Sequence, residues 1–72
     1  MAKFCERLRA LRIERKLKQR EMAEQFGLAI NSYQAYEYAT RRPDFDGLIA
    51  LADFFDVSLD YLVGRSDDRE RR

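Results

Sequence analysis

The sequence has no histidine, only one cysteine and one proline, and no long apolar stretch. A single thiol cannot form an internal disulfide bond, and without histidine there is no Cys/His cluster to hold a metal. We therefore expect neither metal nor cofactor, and a reducing, cytoplasmic location. No apolar run approaches the roughly 18 residues of a membrane helix, and the charged N-terminus is not a signal peptide. We expect no membrane partner.

The residue patterns of common enzyme sites are also missing. No nucleophile stands beside a base, and there is no glycine-rich phosphate loop. The four aspartates of the central region are spread along the chain rather than gathered as a catalytic pair: Asp44, Asp46, Asp53 and Asp56. We expect no enzyme and no small-molecule substrate.

Charge is distributed unevenly along the 72 residues, a length that allows one domain. Residues 1–42 carry ten basic and five acidic side chains, whereas residues 43–64 carry five acidic and no basic ones. One end of such a domain suits phosphate groups and the other repels them. The alternative is a solvated surface with accidental asymmetry.

Apolar spacing predicts an all-α fold of five helices. We expect them at about 3–15, 19–26, 30–38, 45–55 and from Leu59 to just before Gly64. Asp44 and Ser58 are the expected N-caps of the last two helices. The expected core stripes and core residues are Phe4, Leu8, Leu11, Met22, Phe26, Tyr36, Phe45, Leu48, Leu51, Ala52, Phe55 and Leu62. Residues 1–64 form the predicted domain, and residues 65–72, with no apolar side chain, form a disordered tail.

The stretch from Gln19 to Glu37 has the pattern of two short helices that meet at a sharp angle. Ala23 is small enough for a close helix approach, and Gly27 suits the positive φ that ends the first helix. This pattern predicts a helix-turn-helix whose second helix presents an outward face to a DNA major groove. The outward residues are Ile30, Asn31, Gln34 and Ala35, whereas Tyr33 and Tyr36 face inward.

Residues 4–66 resemble the phage-repressor-like helix-turn-helix family of the Cro-repressor or XRE type. The resemblance rests on ERLRALR, LKQREMAEQFGL, YE, RRP and, most specifically, LIALADFFDVSLDYLVGRS. It implies a compact five-helix, lambda-repressor-like DNA-binding domain in which helices 2 and 3 form the helix-turn-helix.

Four positions depart from that family. Lys18 and Ala29 stand where it commonly has a Ser or Thr N-cap, whose loss costs about 0.5–2 kcal/mol. Tyr33 replaces a usual Ile or Val, and we expect its hydroxyl at the edge of the core, within reach of water or a phosphate. Ala39 replaces a usual glycine, so it is strained if its φ is positive.

The resemblance also implies which residues read DNA bases. Asn31 is the best candidate, because an Asn amide can bond N6 and N7 of adenine together. Ile30 and Ala35 can contact a thymine methyl group, and Gln34 can reach a base or a phosphate. The alternative for Asn31 and Gln34 is that they are only solvent-exposed polar residues.

A second set of residues would hold the DNA backbone. Gln19 opens helix 2, where free N–H groups suit a phosphate, and its side chain can also brace helix 3. The residues expected to contact phosphates are Lys18, Gln19, Arg20, Ser32, Arg41 and Arg42. The resemblance further pairs Arg12 with Glu37 in a partly buried salt bridge that ties helix 1 to helix 3.

These observations favour a sequence-specific regulator, a repressor, that binds double-stranded DNA at a palindromic operator. Since one such domain contacts a half-site, we expect a homodimer, with Tyr61, Val63 and more weakly Ile13 as contact residues. The alternative is a protein-interaction module of the same fold, antirepressor-like or antitoxin-like, with secondary DNA binding.

Overall fold

The computed structural model describes residues 3–71, which form helices joined by short loops with no strand in that range. The helices are α1 (Phe4–Glu14), α2 (Gln19–Gln25), α3 (Ile30–Glu37), α4 (Phe45–Phe55) and α5 (Leu59–Leu62). The predicted all-α, five-helix fold is therefore confirmed, and its boundaries were close to those observed.

Short polar caps and left-handed residues account for several of these boundaries. The Asp44 carboxylate accepts a hydrogen bond from the Gly47 N–H at 2.8 Å, and the Ser58 hydroxyl accepts one from the Tyr61 N–H at 3.0 Å. Each bond satisfies an N–H group that has no partner within its helix. Gly64 follows α5 with φ of 86°, a conformation that glycine adopts without strain. Both predicted N-caps are confirmed.

The core lies where α1, α3, α4 and α5 meet, with α2 packed against α3. Leu8, Met22, Tyr33 and Leu62 are its largest fully buried side chains. Full burial of one such side chain contributes about 1.5–3 kcal/mol to the free energy of folding. This small cluster therefore supplies much of the hydrophobic stabilisation. Among residues 3–71 the buried residues of the apolar core are Leu8, Leu11, Met22, Ala23, Tyr33, Leu51, Ala52, Phe55, Val57 and Leu62.

The prediction that Phe45 belongs to the core is wrong. Its side chain is 67% exposed. Phe45 is the first residue of α4, so the apolar stripe extends one turn beyond the elements that could cover it. Leu48, one turn later, is half-buried, and the fully buried part of the stripe begins at Leu51. Spacing identified the correct helix face but not its covered length.

Residues 65–71 differ from the disordered tail that the sequence predicts. They form no helix, but they run back along the domain and contact α1, α4 and the start of α5. The Ser58 N–H donates to the Arg69 carbonyl at 2.9 Å, and Arg69 pairs with Glu14 of α1 at 2.8 Å. Arg71 pairs with Asp53 of α4. Ionic and backbone contacts can thus hold a segment that contributes nothing to the apolar core.

Candidate nucleic-acid interface

The helix-turn-helix is built on a close contact between α2 and α3. Ala23 is 2% exposed at this contact, and Gly27 has φ of 66°. The Leu28 N–H donates to the Ala23 carbonyl at 2.8 Å, which closes the end of α2. Glycine adopts this left-handed conformation without strain, and the chain then turns sharply into α3. The small residue and the glycine act as the sequence predicted.

The outward face of α3 presents one free amide near its start. Asn31 is exposed, and its side chain makes no hydrogen bond to another residue in the range 3–71. Ile30 beside it is 42% exposed, whereas Ser32 and Ala35 are half-buried. An unengaged Asn at the N-terminal end of a recognition helix can bond a base edge without first losing an internal contact.

Gln34 and Gln19 are engaged with each other. Gln34 Nε2 donates to Gln19 Oε1 at 3.0 Å, and Gln19 Nε2 donates to Glu37 Oε1 at 3.1 Å. This chain of amides crosses from α3 to α2 and back, so it fixes the angle between the two helices. Gln19 therefore braces α3, and the Gln34 amide nitrogen is already in use.

Glu37 is the centre of a buried hydrogen-bond network. Its side chain is 0% exposed, and it receives Arg12 Nε at 2.6 Å and Arg12 Nη2 at 3.1 Å. Arg12 also donates to the Leu17 carbonyl at 2.9 Å. Burial opposes ionisation of Glu37, but the hydrogen bonds from Arg12, Tyr33 and Gln19 together keep its pKa below the ordinary value. The network joins α1, α2 and α3 through one carboxylate.

The Tyr33 hydroxyl does not reach water or a phosphate, which corrects the prediction for this residue. Tyr33 is fully buried, and its hydroxyl donates to Glu37 Oε2 at 2.5 Å. Burial, followed by the bond to Glu37, raises the Tyr33 pKa, so the phenol stays protonated as a donor. The bond joins residues one turn apart on α3, a spacing visible in the sequence, but the direction of the ring depends on the surrounding core.

Exposed cations flank the two helices. Lys18, Arg20, Arg41 and Arg42 are all exposed, and none forms an ion pair within the described part of the chain. The guanidinium groups of Arg7, Arg69 and Arg71 pair with carboxylates elsewhere. Cations without an internal partner are the ones available to phosphates.

The start of α2 offers backbone donors beside these cations. Lys18 takes the N-cap position without a side-chain cap, and its own N–H donates to Glu21 Oε1 at 2.8 Å. The N–H groups of the following turn have no acceptor within the helix. A backbone donor pair or a lysine there can hold a phosphate, although the Glu21 carboxylate competes for the same end.

Tyr38 belongs to this surface and was missed by sequence reasoning. It follows α3, is 62% exposed, and its hydroxyl oxygen lies 3.5 Å from Gln19 Nε2. Its position in the sequence could have identified it. Tyr38 directly follows Glu37 and does not fall on the inward stripe of Tyr33 and Tyr36, so its side chain is expected to face outward. It adds a hydroxyl group beside the start of α2, where the sequence predicts a contact with a DNA phosphate.

The loop after α3 carries Arg41 and Arg42 and contains one strained residue, Ala39. Ala39 has φ of 64°, and the Thr40 N–H donates to the Ala35 carbonyl at 3.0 Å. An alanine in this region costs about 1–2 kcal/mol relative to right-handed backbone. The Arg41 N–H also donates to the Ala35 carbonyl at 3.3 Å, so the turn folds Arg41 back towards α3.

Among residues 3–71 no group of His, Cys, Asp and Glu side chains could hold a metal ion. No helix in the same range is both long enough and apolar enough to cross a membrane.

Two known proteins are similar to this chain in sequence. The chain is 45% identical over 65 residues to an uncharacterized HTH-type transcriptional regulator of Bacillus subtilis, YobD, covering 90% of this chain and 58% of that protein. It is 39% identical over 64 residues to the cryptic phage CTXphi transcriptional repressor RstR of Vibrio cholerae, covering 89% of this chain and 58% of that repressor. The chain thus spans somewhat more than half the length of these relatives.

A solved structure has the same architecture. The crystal structure of a transcriptional regulator from Listeria innocua superimposes with a TM-score of 0.82 at 35% sequence identity, covering 86% of this chain and 58% of that one. The sequence profile of the helix-turn-helix family matches residues 8–62, from the middle of α1 to the end of α5. The chain belongs to the helix-turn-helix family.

Proposed function

We propose that this domain is a sequence-specific DNA-binding transcriptional regulator that inserts α3 into the major groove. The observation that carries the proposal is the exposed, unengaged Asn31 amide on α3, flanked by four exposed cations without ion pairs. The amide can distinguish adenine from the other bases, and the cations supply affinity that does not depend on sequence. This role agrees with the cytoplasmic location that the sequence predicts.

The relatives support the direction of regulation. The Vibrio cholerae relative is named as a repressor and the two others as transcriptional regulators, and none of the three is named as an enzyme. We propose repression, in which the bound domain occupies an operator. No catalytic role is needed for that function.

The operator is a palindrome bound by a homodimer. A single helix-turn-helix covers one half-site, and two-fold symmetry places the second about 34 Å away along the duplex. Tyr61, one of the predicted contact residues, packs against two arginines, since the Arg7 guanidinium lies 3.9 Å from its ring centroid and that of Arg69 lies 5.1 Å away. Sedimentation velocity with and without a palindromic duplex tests the assembly, and one protomer per palindrome at saturation would refute it.

The experiment for sequence reading is duplex selection followed by fluorescence anisotropy. We expect the selected palindrome to bind well above random duplex, and Asn31→Ala to reduce the preference at one base pair by about 1–3 kcal/mol. Gln25→Ala is the matched control, because Gln25 is an exposed amide at the end of α2, away from the outward face of α3. Selection that yields no consensus would refute sequence-specific recognition.

A protein-interaction module of the same fold is the second candidate. The exposure of Ile30, 42% on the outward face of α3, is the observation that favours it, since an apolar side chain there also suits a protein partner. The double variant Asn31→Ala with Arg41→Ala separates the two functions. Loss of DNA binding with repression of the target intact would favour the interaction module.

A further inference from the structure

A basic groove lies between the start of α1, the end of α3 and the start of α4. Three cations line it, Lys3, Arg41 and Arg42, and no aspartate or glutamate is among its described lining residues. None of the three forms an ion pair with a residue in the range 3–71. The groove therefore attracts an anion.

The floor of the basic groove is apolar. Phe4, Tyr36, Leu48 and Val63 line it, and each is half-buried. The cavity volume is about 570 Å³, within the roughly 300–1,000 Å³ of small-molecule sites, which are mostly apolar with a few polar groups. A DNA phosphate held by Arg41 and Arg42 would leave this floor and Lys3 unused.

We propose that the basic groove binds a small amphiphilic organic anion, with its carboxylate or phosphate at the three cations and its apolar body on the floor. Both parts of that chemistry are present in one cavity, whereas an inorganic anion would match only the rim and a neutral apolar compound only the floor. The ligand is a small molecule rather than a protein segment, because the cavity has the volume of a small-molecule site.

The site is linked to DNA binding through shared residues. Arg41 and Arg42 line the basic groove and are also the proposed phosphate contacts of the loop after α3. An anion held there and a DNA phosphate compete for the same guanidinium groups, so the anion weakens DNA binding and DNA weakens anion binding equally. This linkage rests on the proposed function, but the binding site itself does not.

The probes are octanoate, octan-1-ol and octyltrimethylammonium, used below their micelle concentrations with the full chain and no DNA. We expect octanoate to shift the amide NMR signals of Cys5, Tyr36 and Val63, which line the groove, with saturable binding. Decanoate should bind tighter, by up to about fourfold for each added methylene that is buried. Equal binding of all three octyl probes, or shifts confined to other surfaces, would overturn the proposal.

A charge variant tests the rim without touching a proposed DNA contact. Lys3→Gln should weaken octanoate about two- to fivefold, the range of an exposed ion pair. Lys16→Gln is the matched control, since Lys16 is exposed just beyond the opposite end of α1 and does not line the groove. Equal weakening by the two variants would show long-range charge attraction rather than a site.

The single cysteine gives an independent measure of occupancy. Cys5 is half-buried and lines the groove, so its alkylation by iodoacetamide should slow when decanoate is bound. Unchanged alkylation at a concentration that saturates the NMR shifts would contradict binding in this cavity. An acidic, apolar peptide that protects Cys5 at lower concentration than decanoate would overturn the small-molecule assignment.

The link to DNA is measured last, by anisotropy of a labelled duplex with increasing decanoate. Weaker duplex binding in parallel with groove occupancy supports the linkage, and unchanged duplex binding at saturation overturns it. A chain that binds decanoate in the groove but no duplex would leave the site standing and refute the proposed function.

Discussion

Two arginine–glutamate pairs have nearly the same geometry and different surroundings. Arg12 meets Glu37 with two nitrogens at 2.6 and 3.1 Å, and Arg69 meets Glu14 with two at 2.8 Å. The side chains of the first pair are 13% and 0% exposed, those of the second 48% and 54%. Distance alone would rate the pairs alike. Burial separates them, because only the first pair leaves a charge in a poorly solvated site when one partner is lost.

The two pairs also hold different parts of the molecule. Glu37 joins α1 to α3 through Arg12 and α2 to α3 through Gln19, so it sets the position of the proposed recognition helix. Glu14 joins α1 only to the tail after Gly64. The buried network is therefore tied to the proposed interface, and the exposed pair is not.

Removing the arginine from each pair gives the largest expected contrast. Arg12→Met keeps the aliphatic stem but leaves Glu37 buried and unpaired, so we expect a loss of about 3–5 kcal/mol in the free energy of unfolding. Arg69→Met should cost a small fraction of that amount. Urea denaturation of both variants measures the difference, and equal losses would contradict the role given to burial.

The Tyr33 hydroxyl should be the second most costly group. Tyr33→Phe removes a buried hydrogen bond to a carboxylate, and such bonds to charged groups contribute about 1.5–3 kcal/mol. Tyr36→Phe is the control, because the Tyr36 hydroxyl has no hydrogen-bond partner among residues 3–71. Matched thermal melts should show a clear loss for the first variant only. A comparable loss for Tyr36→Phe would mean that the hydrogen bond from Tyr33 to Glu37 is not the cause of the loss for Tyr33→Phe.

Titration separates the carboxylates themselves. Hydrogen bonds from Arg69 lower the Glu14 pKa, and the Glu37 pKa is also lowered, because its hydrogen bonds outweigh the opposing effect of burial. At about 1 M salt, where the screening length is about 3 Å, we expect the Glu14 pKa to return towards 4.5 and that of Glu37 to stay below it. Carboxyl carbon NMR reads both groups in one sample. Equal changes of the two pKa values with salt would contradict the different roles given to the buried and the exposed pair.

Glu37 also makes stability depend on pH. Because its pKa is lower in the folded state, its contribution is fully present above the unfolded-state value near 4.5 and is lost as pH falls through the folded-state pKa. The urea concentration at the unfolding midpoint should therefore decrease as the pH is lowered from neutral through this acidic range.

The tail should give the smallest effect. Deleting residues 67–72 removes the pairs of Asp67, Arg69 and Arg71, all at exposed positions. We expect a lower melting temperature at low salt, by less than Tyr33→Phe causes, and a smaller difference at about 1 M salt, where only the hydrogen bonds of Ser58 to the tail still contribute. A large, salt-independent loss would show that the tail contributes packing.

The features that could be predicted from the sequence are those that depend on residues close together in the chain. Asp44, Ser58 and Gly27 each act within one turn of their own position, so the helix boundaries followed from them. Phe45 and Tyr33 were assigned to the correct faces but not to the correct surroundings, since exposure and ring direction depend on elements distant in sequence. The tail contacts were missed for the same reason, because charged pairs between residues 55 apart leave no periodic signal.

Asn31 and the surrounding cations were selected from the sequence by resemblance and spacing. The structure adds which of them are engaged, since the side chains of Gln19 and Gln34 bond each other while the Asn31 side chain bonds no described residue. Hydrogen bonding between amides fifteen residues apart depends on the angle of α2 to α3, which no local pattern encodes.

The most direct test of this account is the salt dependence of duplex binding for one free and one paired arginine. Log affinity should fall linearly with log salt concentration, and Arg42→Gln should reduce that slope by about 0.9, the value for one phosphate contact. Arg71→Gln, which removes an arginine paired with Asp53, should leave the slope unchanged. Equal changes for the two variants, or a slope near zero for the unmodified protein, would contradict DNA binding through the helix-turn-helix surface.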